Sequence, residues 1–376
     1  MTNSEMLPLE GFSVGVTADR RGHELTELLS RLGSRVIQGP SIHTVALVAD
    51  DALANTTTAV IANPPDVTVV TTAIGLRSWF SAAGAWNLDD DLAAALGRSR
   101  IVARGPKSLG AVRALGLDAA WQEESERLAN LVVRLGPWLG PGVRVVVQID
   151  GGHDSAASES IRATGAEVVE VRSYRWNLPP DPRPALRLIR LACESRLDAI
   201  AFTSPPAVHN LFELAANEGL TDRLSDAVAR GMPVVACVGP ATAEAARHAG
   251  IAAPVFPDRG RLGLLIRTIT RALGGHRHEL TIDNCRLVIQ GATVRIDDTT
   301  ATLTDKERRL LALLLDNAGS IVSNERLLWG VWGEAGNEHI LDVTLARLRR
   351  RLGPAGAAVH RVPRRGLWIE APAMVG

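Results

Sequence analysis

Residues 200–212 read IAFTSPPAVHNLF and residues 234–250 read VVACVGPATAEAARHAG. Each starts as a short apolar, β-prone run that ends in small or polar residues. Each continues as a helix-period segment, and the second closes on a glycine. An earlier stretch has the same grammar: VVTTAIGLRSWF at 69–80, then IVARGPKSLGAVRALG at 101–116. Thr71 and Gly105 are 34 positions apart, and Thr203 and Gly239 are 36 apart. In both copies the Gly-Pro opens a stretch that closes on a glycine 11 positions later, Gly105 to Gly116 and Gly239 to Gly250.

A second pair of segments repeats around these. VGVTADRRGHELTELLSRLGSRV at 14–36 matches VVVQIDGGHDSAASESIRATGAEVVEV at 145–171, with Gly33 corresponding to Gly165. The first 270 or so residues therefore read A–B–A′–B′, a self-similarity that sets the architecture before any single motif does. Strand–helix alternation of this kind predicts parallel sheets covered by helices. Pro-dense segments at 38–41 (QGPS) and 176–184 (WNLPPDPRP) suit crossings between two lobes. The expected class is α/β, a two-lobed, hinge-linked parallel-sheet domain at 1–273. Lobe 1 comprises 10–39 and 180–273, and lobe 2 comprises 40–179.

Composition narrows the field. The chain has 376 residues, 46% of them hydrophobic and 22% charged, which excludes an intrinsically disordered protein. No apolar run reaches the roughly 18 residues of a membrane span, so no membrane partner is expected. The N-terminus has neither a basic nor an apolar segment of a signal peptide, which with the cysteine usage points to the cytoplasm. Cys193, Cys237 and Cys285 fit neither a disulfide framework nor a metal-ligand spacing, and no metal site is expected.

The order of FTSP after one strand, VGPATAEAARHAG after the next, and VVEVRSYR before the second crossing resembles the uroporphyrinogen-III synthase (HemD) family over about residues 10–270. The resemblance implies two α/β lobes with a tetrapyrrole precursor bound between them. The implied reaction is cyclisation of hydroxymethylbilane with inversion of its last ring, loss of water and no cofactor. The candidate ligand-binding residues are Thr71, Ser108, Thr203, Ser204, Gly239 and Thr242. They stand at turns where free backbone N–H groups open a helix and would meet a polycarboxylate. Ordinary caps explain the same residues. Tyr174, the only tyrosine, matches a family tyrosine at the cleft wall, where it would hold or protonate the leaving hydroxyl as the candidate catalytic group. A half-buried hinge aromatic is the other reading. His23 and His153, each followed by an acid, read either as a proton-handling pair or as equivalent helix starts. The chain departs from the family pattern at Arg175-Trp176, at TTAIG after the first B strand, at GPKS, and at Asp150, whose acid would repel a polyanion.

After a Gly-flanked stretch at 274–279, read as a linker, the grammar changes. Residues 280–303 read as short strands. Thr304-Asp305-Lys306-Glu307 is a capping box opening a helix with Leu310, Leu311, Leu314 and Leu315 on one face. Ser323 starts a second helix and Asn337 a third, in which Leu341, Leu345, Leu348 and Leu352 form the buried stripe. A hairpin with a Pro-Arg-Arg-Gly tip ends the domain. Three helices, the third basic, and a basic hairpin describe a winged helix-turn-helix over 280–376. The pattern resembles the OmpR-type DNA-binding domain of response regulators, although Gly366-Leu367 stands where that family has Gly-Tyr. The resemblance implies double-stranded DNA as partner, bound by a homodimer. The candidate DNA-binding residues are Thr344, Arg347, Arg350 and Arg351 on the third helix, read as projecting away from its leucine stripe, and Arg364 and Arg365 on the wing.

The formal net charge of zero does not oppose this. Within 339–368 there are seven arginines against one acid, Asp342. The neutral sum conceals a local basic face.

The fusion resembles a group of actinobacterial regulators of nitrate and nitrite assimilation. Nitrite reductase needs sirohaem, which descends from uroporphyrinogen III. Beside an inactive scaffold that only dimerises the DNA-binding module, two functions stay open on the sequence. One is a transcriptional regulator with a HemD-like ligand-sensing domain, controlling nitrogen assimilation or tetrapyrrole-linked genes. The other is an active uroporphyrinogen-III synthase with an attached DNA-binding domain.

Overall fold

The run Arg144–Gln148 shows how these sequences make sheets. Val146 enters one apolar core, while Val145 and Val147 enter another on the opposite face. Side chains alternate across a strand, so a strand buried on both faces is apolar throughout. A computed structural model describes residues 6–19, 21–123, 128–149, 151, 156–282, 285–333 and 337–370. His153, Asp154 and Asp150 lie outside the described residues.

The chain divides into two compact units, Ile42–Pro180 and a discontinuous one made of Met1–Ser41 and Asp181–Gly376. The contiguous unit has a five-stranded parallel sheet in the order Ala119–Gln122, Arg100–Ala103, Val67–Val70, Arg144–Gln148, Glu167–Val171. A separate antiparallel pair, His43–Ala46 with Tyr174–Asn177, lies where the chain enters and leaves it. One face of the sheet is sealed by the helices Asp51–Ala62 and Ala73–Ala85. There Trp79 is fully buried and donates its indole N–H to Thr57 Oγ1 at 2.9 Å.

The discontinuous unit has a four-stranded parallel sheet in the order Val234–Cys237, Ala199–Phe202, Ser13–Val16, Arg35–Gln38. Its central pair joins segments on either side of the inserted unit, with Val14 opposite Ala199 and Val16 opposite Ala201. The A–B–A′–B′ order thus resolves into A with B′ in one sheet and B with A′ in the other. Leu25, Leu29, Leu265 and Ile269, from Gly22–Arg31 and Leu262–Gly274, cover one face.

The same unit continues into an antiparallel meander of Arg277–Ile282, Cys285–Gln290, Thr293–Ile296 and Thr299–Thr302. The stretch 277–279, expected in a linker, is instead the start of that sheet, with Arg277 opposite Gln290 and His278 opposite Ile289. The partner strand supplies a register that the short polar Arg-His-Glu sequence does not announce. Three helices follow, Asp305–Leu315, Asn324–Trp332 and Glu338–Arg351. A three-stranded sheet in the order Val322–Ser323, Gly366–Ile369, Val359–Val362 completes the winged-helix arrangement. The Thr304–Glu307 capping box is formed in both directions. Leu341, Leu345, Leu348 and Leu352 are all buried in this domain's core. No helix among the described residues is long and apolar enough to cross a membrane.

Candidate nucleic-acid interface and ligand-binding turns

In the contiguous unit the strand ends are tied together by side chains. Thr71 donates its hydroxyl to Gln148 O at 2.6 Å, and Ser108 donates to Thr71 O at 3.1 Å. Both candidate hydroxyls therefore hold strand Val67–Val70 to its neighbours. Gln148 and Thr72, which the sequence reading did not single out, complete the set. The Gln148 carboxamide oxygen accepts from Thr72 N–H at 3.0 Å, and Thr72 Oγ1 caps the helix Ala73–Ala85 by accepting from Gly75 N–H at 3.1 Å. Thr72 Oγ1 also lies 3.2 Å from the Tyr174 hydroxyl. Tyr174 is 1% exposed, packs edge-on against Trp176 with ring centroids 5.9 Å apart, and presses on Gly151, where a Cβ would come within 2.9 Å of its ring. A polar glutamine ending the apolar run VVVQI was the signal for this network, because a buried carboxamide needs partners.

The equivalent turns of the discontinuous unit are arranged differently. Ser204 stands at the start of Pro205–Asn217 but makes no side-chain cap bond, and Gly239 stands likewise before Pro240–His248. Gly239 is extended at φ −178° and lies against Gly260, where a Cβ would be 3.3 Å from Gly260 Cα. The hydroxyls of Thr203, Ser204 and Thr242 have no hydrogen-bond partner among the described residues, whereas their counterparts Thr71, Thr72 and Ser108 do. Two helix N-termini with uncommitted hydroxyls beside them can receive an anion's oxygens. Among the described residues no cluster of three or more His, Cys, Asp or Glu is placed to hold a metal ion.

Cys237 ends the strand before this second turn, and burial pushes its thiol up to about 12. The thiolate is the reactive form. Native protein at pH 8 should therefore alkylate at Cys193 and Cys285, both partly exposed, well before Cys237, which should react only in denaturant. Peptide mass spectrometry after timed labelling checks this. Equal labelling of all three would show that the strand end is open.

The winged-helix domain sorts its arginines into two classes. On the third helix Asn337 caps by accepting from His339 N–H at 2.9 Å, and the leucine stripe faces inward. The opposite face exposes Ile340, Val343, Arg347 and Arg350. Thr344, expected on that face, is buried at 8% exposure and donates its hydroxyl to Ile340 O at 2.8 Å. It stands three residues after Leu341 and four before Leu348, so helical register carries it into the core. Arg351, also expected to contact DNA, is engaged internally, with Nε 3.0 Å from a carboxylate oxygen of the buried Glu307. Arg349 donates to Val359 O, and Arg361 pairs with Asp342 at 3.0 Å and Glu338 at 3.4 Å. Arg347 and Arg350, with Arg364 and Arg365 at the hairpin tip, are exposed and have no ion-pair partner among the described residues. The tip is a tight turn, with Arg364 at φ +60° and Arg365 N–H donating to Val362 O at 3.1 Å. Gly366 follows it. A Cβ there would lie 1.9 Å from Val322 O, so only glycine lets the hairpin close on the neighbouring strand. Leu367, where the related family has tyrosine, is fully buried.

Comparison with known proteins agrees with this architecture. The model of the family "Uroporphyrinogen-III synthase HemD" matches residues 23–278, and that of "Transcriptional regulatory protein, C terminal" matches residues 298–367. Protein YjjA of Bacillus subtilis is 28% identical over 258 residues, covering 69% of this chain and 94% of that protein. The heme response regulator HssR of Staphylococcus aureus is 32% identical over 96 residues, covering 24% of this chain and 43% of that regulator. A crystal structure of uroporphyrinogen III synthase from Thermus thermophilus superposes with a TM-score of 0.56 at 27% identity, over 70% of this chain and 99% of that one. A HemD-type domain joined to an OmpR-type DNA-binding domain fits a transcriptional regulator, and such a domain implies DNA as partner. The chain belongs to the uroporphyrinogen-III synthase HemD family and continues into an OmpR-type DNA-binding domain.

Proposed function

We propose that the protein is a one-component transcriptional regulator of the cytoplasm, whose winged-helix domain binds double-stranded DNA as a homodimer and whose HemD-like part senses a small anionic ligand. The observation that carries this reading is the pair of exposed guanidiniums, Arg347 and Arg350, on the helix face opposite the leucine stripe. An arginine held there can meet guanine N7 and O6 in the major groove, while Arg364 and Arg365 at the wing tip meet phosphate. The ligand class follows from the uncommitted hydroxyls of Thr203, Ser204 and Thr242 beside two helix starts. They suit the carboxylates of a tetrapyrrole from the pathway that the family serves. The target genes in this proposal are those of nitrate and nitrite assimilation or of tetrapyrrole supply, which sirohaem links. To regulate, the ligand must bind two states of the protein with different affinity.

Footprinting on the DNA upstream of its own gene tests the reading. A protected segment made of two half-sites about one helical turn apart is expected, with binding that weakens steeply as salt rises. Absence of any protected segment at low salt would sink it. The likeness to the Thermus synthase favours a second reading, catalysis. Incubation with enzymatically generated hydroxymethylbilane separates the two. The sensing reading expects only the type I product of spontaneous closure, and type III product would establish the enzyme.

A further inference from the structure

Four consecutive residues at the start of helix Asp305–Leu315 tie three parts of the molecule together, the outer two reaching the same segment of the HemD-like domain. Asp305 pairs with Arg196 of the HemD-like domain at 2.6 Å. Lys306 donates to Val331 O, at the end of the second helix, at 2.9 Å. Glu307, 2% exposed, holds Arg351 of the third helix at 3.0 Å. Arg308 pairs with Asp198 and donates to Ser195 O at 2.8 Å. Asp198 is itself 2% exposed at its side chain and accepts from Ser13 N–H at 2.7 Å, so its carboxylate is fixed by the central strands of the HemD-like sheet. A second contact keeps the two parts in register. Ala292 N–H donates to Gly11 O at 2.8 Å, and a Cβ on Gly11 would lie 2.3 Å from Gln290 O, so the two backbones touch with no side chain between them.

We propose that Asp198 is a positioning residue for DNA recognition. Through Arg308 it fixes the first turn of helix Asp305–Leu315, and through Glu307 that turn fixes the recognition helix at Arg351. Asp198 immediately precedes strand Ala199–Phe202, and Thr203-Ser204 immediately follows it. One strand of ~13 Å, at about 3.3 Å per residue, therefore joins the turn with uncommitted hydroxyls to the turn that orients the DNA-reading helix. The inference rests on the DNA-binding reading.

The test uses the full chain and the DNA segment that wild type protects, with affinity read by fluorescence anisotropy at several salt concentrations. Asp198→Asn keeps an acceptor for Ser13 N–H and removes the charge facing Arg308. Its expected effect is a loss of about tenfold or more in affinity with an unchanged salt slope, because no phosphate contact is removed. Arg351→Met should produce a loss of similar size. The double variant should bind no worse than the weaker single one, since both act through one chain of contacts. A loss that reflected misfolding alone would lower the fraction of active protein in a stoichiometric titration and leave Kd unmoved. Arg308→Lys retains the ion pair with a less constrained donor and should lose affinity only about two- to fivefold. Wild-type affinity in Asp198→Asn, or fully additive losses in the double variant, would overturn the inference and leave DNA binding standing. If wild type itself protects no DNA, both fall together.

Discussion

Replacing Arg347 and Arg350 together by alanine should abolish sequence-specific DNA binding while leaving the fold intact. Both side chains are exposed and make no ion pair among the described residues, so their removal breaks no internal ion pair there. An arginine bidentate to guanine contributes about 1–3 kcal/mol of discrimination. Two of them predict a loss on the order of 10²- to 10⁴-fold for the specific site, and a much smaller loss on unrelated duplex. Arg364→Ala with Arg365→Ala should behave differently. Removing two phosphate contacts weakens binding to all sequences alike and lowers the salt slope by about two. Arg349→Ala is the contrasting control. Its guanidinium holds Val359 O, and its loss should show as lowered thermal stability. Titrations of specific and scrambled duplexes check all three. If the Arg347 and Arg350 double variant binds its operator as wild type does, the third helix is not the reading element.

Trp79→Ala should destabilise the contiguous unit by about 3–5 kcal/mol, the usual cost of truncating a buried aromatic. The indole is fully buried among Leu76, Phe80, Leu92, Leu96 and Val146. Its loss opens a cavity beneath the sheet and leaves Thr57 Oγ1 without its donor. Because a domain's whole stability is about 5–15 kcal/mol, this one change removes a large part of it. Trp79→Phe keeps most of the volume and should cost less. Denaturant titration followed by far-UV circular dichroism, with limited proteolysis to locate the opened unit, measures the effect. A change under about 1 kcal/mol would mean that the cavity collapses and that the packing is looser than the buried indole implies.

Much of the fold was readable because it is written in local periods. The repeated strand-to-glycine grammar around Thr71 and Thr203 marks the parallel strands, and the leucine spacing from Leu341 to Leu352 marks the buried face of the third helix. Thr304 and Glu307 disclose a helix start three residues apart. The site was less legible for two reasons. The hydroxyl of Thr344 suggests an outward position, although its spacing from Leu341 and Leu348 already carries it inward. The commitments of Arg349, Arg351 and Arg361 depend on partners that only tertiary packing brings near. Glu307 stands 44 positions from Arg351, and no pattern in either segment names the other. The same holds for Asp198 and Arg308. A charge count over 339–368 treats all seven arginines alike, whereas the structure uses three to hold the domain together.

The pairing of Ser13–Val16 with Ala199–Phe202 also sets an order of events at the ribosome. The first strand emerges early, but its central neighbour follows only after the whole inserted unit, about 10–40 s later at roughly 5–20 residues per second. The inserted unit has all its own partners in sequence and can complete itself in that interval. The winged-helix domain follows both in sequence, and its Arg308 pairs with Asp198, which directly precedes the second of the two central strands. The anchor that Asp198 offers Arg308 is therefore complete only when Ser13 N–H, from before the inserted unit, has met the same carboxylate.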